Sequence, residues 1–429
     1  MKTYLNPGKE NWKELVKRPQ FESEFLDGAV RNILGRIQKS GDQALFELTK
    51  QYDKVEINSL QVSEQEFDEA QKAISPGLKR AIEIAAANIE KFHTDQKRAA
   101  TVIETMPGVT CWRKAIPISK VGIYIPGGSA PLFSTALMLT IPARLAGCKE
   151  IILCSPVGAS GKINAAILFA ARFTGVSKVF KVGGAQAIAA MAYGTESIPQ
   201  VYKIFGPGNQ FVTKAKQLMS NEGVAIDLPA GPSEVLVLAD ETANPSFVAA
   251  DLLSQAEHGE DSQVMLVTTN EKVLNHVQTE IQKQIATLPR KAIAERALQS
   301  SRGIYFNSLD SAIDFSNEYA PEHLIINSTQ ADEVAEKIVN AGSVFIGNYS
   351  PEAVGDYASG TNHTLPTNGY AKAFAGVSLE SFTKQITFQK LTEQGIQNIG
   401  PSVEMMAEAE GLEAHKRAVR IRLNSIQKS

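Results

Sequence analysis

Five of the six histidines fall after residue 257, and most of them sit in polar segments that look like turns or helix ends. The segment SQAEHGEDS (254–262) places Gln255 and His258 three apart. On a helix that spacing puts both on one face, and Gly259 is expected to end the helix. A neutral imidazole beside a carbonyl oxygen can hold one side of a metal ion. The ring suits zinc, and the oxygen suits a site of higher coordination. The helix dipole accounts equally well for a histidine at a C-terminus. In APEHL (320–324), Glu322 and His323 follow a proline-set turn and lead into an apolar run. Neighbours in extended chain point opposite ways, so the two can divide separate proton transfers between them. A solvated loop would read the same way. GDYASGTNHTLPT (355–367) has few apolar residues, and both Asp356 and His363 can act as ligands. Functional loops and ordinary surface loops share that composition. His415, in EGLEAH, stands far from the rest. It can complete a site only if the C-terminal segment reaches another subunit; otherwise it is a solvated helix residue. His93 and His276 lie on helical patterns and read as packing or surface positions.

A second kind of chemistry is suggested by three glycine-rich turns. Ile125 runs into Pro126-Gly-Gly-Ser-Ala, Val182 into Gly183-Gly-Ala-Gln, and Phe205 into Gly206-Pro-Gly-Asn-Gln. Glycines let a backbone approach a phosphate, and a following helix N-terminus offers free N–H groups with partial positive charge. Ligands of open α/β sheets bind beyond the carboxyl ends of the strands. Three such turns suggest a nucleotide, although βα turns are rich in Gly and Pro for conformational reasons alone. No complete GxGxxG is present, because Phe211 stands where the third glycine would be, and no GxxxxGK[ST] motif supports P-loop chemistry.

The elements that must position these groups follow a βαβ rhythm. β-branched runs at Val121–Ile125, Ile151–Cys154, Lys178–Val182, Val201–Phe205, Val235–Leu238, Val264–Thr268, Gly303–Phe306, Leu324–Asn327 and Ser343–Ile346 alternate with helical patterns. So many strands exceed one compact sheet. Two α/β units are expected, 120–232 and 233–375, with the break at PAGPS (229–233). A mostly helical segment, 1–119, precedes them, and a helical extension, 376–429, interrupted near Gly395–Pro401, follows. In the first segment Leu78, Ile82, Ala85, Ile89 and Phe92 form an apolar stripe at helical spacing.

The chain has 429 residues, 43% of them apolar and 21% charged, with a formal charge of −3. That balance excludes disorder and argues against a nucleic-acid partner. The apolar stretch 130–143 is too short for a membrane span and is broken by Pro131 and Pro142. The N-terminal MKTYLNPGKENWKEL lacks the apolar core of a secretory signal, and three cysteines without a CxxC pair are no disulfide framework. A cytoplasmic protein with no membrane partner is therefore expected. Cys148 and Cys154 read as core.

The motifs VGIYIPGG, GGAQAIAAMAYGT, GPGN, DLPAGPSEVLVLAD, LLSQAEHGEDS, APEHL, GDYASGTNHTLPT and EGLEAH, in this order and spread almost end to end, resemble those of the histidinol dehydrogenase family. The combination is specific, though no single piece is. The resemblance implies a homodimer of two α/β domains with incomplete Rossmann-like parallel sheets flanked by helices, plus small helical N- and C-terminal extensions. It implies NAD as cofactor, one Zn²⁺ per subunit, and oxidation of L-histidinol through L-histidinal to L-histidine. By motif, Gln255, His258 and Asp356 resemble three zinc ligands, and His415 resembles a fourth given by the partner subunit. Glu322 and His323 resemble the catalytic acid–base pair. Tyr124, Gln186 and Asn209 fall in turns resembling the NAD-binding loops. Ser233 and Glu410 match substrate-contacting positions, as do the four metal ligands and His323. His363 lies close to the site by motif. Phe211 stands where Tyr is expected, and Phe133 and Phe374 also depart from the family's commoner residues. None of these is a ligand or part of the Glu-His pair. A zinc hydrolase is the rival chemistry, and the three glycine-rich turns argue against it.

Overall fold

The computed structural model describes residues 1–19, 23–127, 131–229 and 231–427. Gly128–Ala130 of the first glycine-rich turn and Ala230 of PAGPS lie outside the described residues. In chain order the strands are β1 (Lys2–Leu5), β2 (Val102–Met106), β3 (Val109–Pro117), β4 (Lys120–Tyr124), β5 (Glu150–Ser155), β6 (Lys178–Lys181), β7 (Lys203–Phe205), β8 (Ala225–Ile226), β9 (Glu234–Ala239), β10 (Gln263–Thr268), β11 (Arg302–Tyr305), β12 (His323–Asn327), β13 (Ser343–Ile346) and β14 (Thr383–Leu391). The nine expected runs are all strands.

Two parallel sheets result. One runs β6-β5-β4-β7-β8 and the other β1-β11-β10-β9-β12-β13. Apart from β1, which adds to an edge, the two orders are the same when each is counted from its first strand. In both, the chain lays two strands to one side of the first and two to the other. The switch points lie between β4 and β7 and between β9 and β12. The central strands β9 and β10 are buried along their whole length. This explains EVLVLA as a continuous apolar run, because a parallel sheet is covered by helices on both faces. His323 lies opposite Val235 across the β12–β9 pair, so each strand begins at the same end of the sheet.

Three expectations fail. First, β2 and β3 form an antiparallel hairpin, and β14 pairs with β3 along nine residues, where the tail after Gly376 had been expected to be helical. The hairpin turn at Pro107–Gly108, with Gly108 at φ +81°, is local. The β14 partner is more than 260 residues away, so no short-range pattern marks it. Second, Gly395–Pro401 does not interrupt the tail; a single helix, Glu393–Ala409, runs through Pro401. Gly400 lies against Val419 and Leu423 of the next helix, Glu413–Ile426, and that close packing carries the helix past the lost hydrogen bond. Third, in the helix Pro76–Thr94, capped by Ser75, Phe92 drops out of the expected apolar stripe and is half exposed, while His93 is buried in the last turn, one of the two placements expected of it. His93 Nδ1 lies 2.9 Å from the Ile89 carbonyl. His276 is exposed, as expected.

Gly206, just after β7, has φ +127°, and a Cβ there would overlap the Tyr124 carbonyl at the switch point. Gly206→Ala is therefore expected to destabilise the chain by at least about 1–3 kcal/mol. Gly35→Ala, on an open helical position, should add about 0.4–1 kcal/mol. Urea midpoints at unchanged m-value measure both.

Candidate active site

A cavity of about 400 Å³ is lined from both halves of the chain: by the Gly206–Asn209 turn and Gly127 on one side, and by Ser233, His258, Glu322 and His363 on the other. A larger hollow, about 950 Å³, lies against the β2–β3–β14 ribbon and holds no histidine, so size does not mark the site.

On the first sheet the turns are tied to one another. The Gly184 N–H donates to the Tyr124 hydroxyl at 3.0 Å, joining the turns after β4 and β6. Burial pushes the Tyr124 phenol up to about 12, so it stays protonated. Gln186 is buried in the first turn of the helix Gly184–Tyr193. Asn209 caps the helix Gln210–Asn221, its Oδ1 accepting from the N–H groups of Phe211 and Val212 at 3.1 and 3.2 Å. Gly206 is held at both main-chain groups. Its N–H donates to Asp227 Oδ2 at 2.8 Å, and its carbonyl accepts from Lys216 Nζ at 2.9 Å. Lys216 and Asp227 form an ion pair whose side chains are almost wholly buried.

On the second sheet the groups converge at the amino ends of β9 and β12. The helix Pro245–Ala256 is capped by Asn244, with Pro245 at its first position. It ends at Ala256, ahead of Gly259, and His258 follows in a turn whose N–H donates to the Gln255 carbonyl at 3.2 Å. The Gln255 carboxamide lies between Glu352 Oε1, 2.9 Å away, and the Glu234 N–H, 3.1 Å away; nitrogen toward the first and oxygen toward the second satisfies both. Ser254 Oγ donates to Glu352 at 2.8 Å. Glu322 Oε2 accepts from the Glu234 N–H at 2.8 Å, and His323 Nδ1 lies 3.1 Å from the Glu234 carbonyl. The Glu322 carboxylate is 3.7 Å from His323 Nδ1, and His323 Nε2 is 3.3 Å from Asp356 Oδ1 without hydrogen-bond alignment. His363 Nδ1 lies 2.8 Å from the Asp356 carbonyl, and its Nε2 lies 3.0 Å from Thr135 Oγ1, which ties this loop to the first half of the chain.

Charge follows from this crowding. Burial raises the Glu322 carboxyl to about 8, against the pull of the His323 charge and the Glu234 N–H. Burial opposes the His323 imidazolium, but Glu322 and Asp356 outweigh it and raise the ring. His258 is open to the cavity, yet the protein around it withdraws enough water to lower its pKa against the pull of Asp356. The same desolvation lowers His363.

Gln255, His258, Asp356, Glu322, His323, Ser233 and His363 are thus gathered near one cavity. His415 and Glu410 are not: both lie on exposed surface at the C-terminal helix pair. Among the described residues, no three or more His, Cys, Asp or Glu side chains cluster as a metal site. Three functional candidates escaped the sequence reading: Glu234, Glu352 and Arg18. A signal existed for Glu234, since a lone charge opening the run EVLVLA is a buried charge in need of a partner.

The model of the histidinol dehydrogenase family matches residues 16–423. The chain belongs to the histidinol dehydrogenase family. It is 59% identical over 428 residues to a histidinol dehydrogenase of Bacteroides fragilis, covering 100% of each chain. It is 51% identical over 420 residues to that of Vibrio cholerae, covering 97% of this chain and 96% of the other. A crystal structure of histidinol dehydrogenase from Elizabethkingia anophelis superposes with a TM-score of 0.97 at 57% identity, covering 100% of this chain and 99% of that one. As a member of this family, the chain is an NAD-dependent oxidoreductase that acts on histidinol in histidine biosynthesis, and the family uses NAD and Zn²⁺. No helix among the described residues is long and apolar enough to cross a membrane.

Lys216→Met should leave Asp227 buried without its cation and cost about 3–5 kcal/mol in urea unfolding. Adding Asp227→Asn should recover part of the loss.

Proposed function

We propose that Glu322 and His323 move the protons in two successive oxidations, from L-histidinol through L-histidinal to L-histidine, in a homodimer with shared sites. The observation that carries this reading is the cavity lined by a glycine-rich turn of one sheet and by Glu322, His258 and Ser233 of the other.

The donor types fit zinc. His258 is biased to the neutral form a metal needs. Asp356 is held ionised: burial acts against its charge, but His323 outweighs it. The Gln255 oxygen has two lone pairs, and the Glu234 N–H takes one. Gln255, His258 and Asp356, with His415 of the partner subunit, are the proposed ligands. The turns carrying Tyr124 and Asn209 fit the dinucleotide because they follow β4 and β7, the strands that flank the sheet's switch point, and the turn carrying Gln186 is tied to them by the bond from the Gly184 N–H to the Tyr124 hydroxyl. When bound, zinc supplies a template that orients the substrate, and NAD supplies the hydride acceptor for each oxidation.

The protein's own residues then do the following. His323, with Nδ1 turned to the Glu234 carbonyl, takes the substrate hydroxyl proton at Nε2 from its neutral form, after giving up the proton that Glu322 and Asp356 favour on the ring. Glu322, in its ionised form, takes a proton from the water that adds to the aldehyde, and its raised pKa places that step on the alkaline side of neutrality. Ser233 and Glu410 of the partner subunit hold substrate polar groups. His363 is tied to the Asp356 carbonyl, and its proposed part is to fix that loop. Sharing of sites is supported by Met405, Met406, Leu412 and Ile421, apolar residues left exposed on the helix pair that bears His415. Three free cysteines suit a cytoplasmic setting.

His323→Asn and Glu322→Gln are each expected to lower NADH formation from histidinol by roughly 10²–10⁴-fold with zinc retained. His258→Asn and His415→Asn should instead lose zinc by elemental analysis. Full-speed conversion of histidinol to the acid by Glu322→Gln would refute the role of that carboxylate.

A further inference from the structure

We propose that Arg18, from the segment before the first long helix, is a positioning residue for the Glu322–His323 pair. It would act by clamping the two backbone stretches that present them. This rests on the acid–base reading above.

Arg18 reaches across the fold to two places at once. Its Nε and Nη2 each donate to one oxygen of Glu234, both at 2.9 Å. The same Nη2 donates to the Tyr319 carbonyl at 2.6 Å, and the guanidinium carbon lies 3.7 Å from the centre of the Tyr319 ring. The Arg18 side chain is 8% exposed and that of Glu234 is 1% exposed. Glu234 in turn carries both main-chain contacts of the pair, its N–H to Glu322 and its carbonyl facing His323 Nδ1. Tyr319 opens the turn that delivers Glu322 two residues past Ala320. Ala320 has φ +52°, a left-handed conformation that a residue with a Cβ adopts only when something holds it there. Arg18 bonds the carbonyl just before that strained residue and the carboxylate of the strand beside it. Only a guanidinium has the planar fork to meet two carboxylate oxygens and a carbonyl together.

Reacting groups displaced by about 1 Å can lose roughly 10²-fold in rate. Zinc-loaded, full-length Arg18→Met is therefore expected to lose roughly that much kcat, with KM for histidinol within about threefold of the parent and zinc content unchanged. Loss of the hold on Glu322 should also let aldehyde escape, raising the fraction trapped by hydroxylamine during turnover. A merely structural ion pair would lower the unfolding midpoint and leave both readouts alone, and that result would overturn the proposal. If Arg18→Met does not fold, Arg18→Lys decides. It keeps the charge without the fork, so a roughly tenfold fall in kcat at unchanged KM supports the clamp, and parental kcat refutes it. Glu322→Gln and His323→Asn run in the same assay separate the two claims. If these turn over at the parental rate, the acid–base reading is wrong. If they are slow and both folded Arg18 variants are normal, only the role of Arg18 is wrong.

Discussion

A carboxylate removed from water needs a cation and hydrogen bonds to remain charged, and this fold buries two such groups beside its cavity. Glu234 meets Arg18, and Asp227 meets Lys216. In each pair the valences left over go to main chain rather than to other side chains. Arg18 bonds the Tyr319 carbonyl, the Asn368 N–H donates to Glu234, and both polar groups of Gly206 are taken by Lys216 and Asp227. Buried ion pairs contribute little net stability compared with apolar packing, but losing one partner is costly. Their effect here is therefore mainly geometric: they fix short backbone stretches beside the points where the strand order of each sheet reverses.

The two sheets share a strand order and are used at opposite ends. On the first, the cavity meets the carboxyl ends of β4 and β7, where the following helices begin. Helix N-termini present N–H groups and partial positive charge, an environment for phosphate. On the second, the cavity meets the amino ends of β9 and β12. There the strand backbone offers an N–H to one carboxylate and a carbonyl to one imidazole, and the helix Pro245–Ala256 brings its C-terminal end. One topology thus supplies a pole for anions and a pole for proton-carrying side chains, facing each other across the cavity.

Several features of this arrangement could be read without coordinates. The parallel strands announce themselves as apolar runs because helices cover both faces of their sheets, and the glycines of the turns are visible because only glycine tolerates the contacts at Gly206. The strand β14 could not be read, since its hydrogen-bond partner is Val109–Pro117 and its own side chains are mostly exposed in this chain. Pro401 misled for a related reason: the packing of Gly400 on a neighbouring helix outweighs a local breaker.

For the site, composition and spacing marked Gln255 with His258, Glu322 with His323, and Asp356, because residues a few positions apart share a helix face or a turn whatever the rest of the chain does. Arg18 and Glu234 are 216 positions apart, and nothing local about either predicts the other. The sequence alone therefore determined the elements, their alternation and the reactive residue types, all governed by short-range backbone geometry. The tertiary structure decided which ends of the sheets face each other, which buried charge meets which cation, and that His415 stands apart from the remaining groups within one chain. Those outcomes depend on excluding water from pairs of groups that only the completed packing brings together.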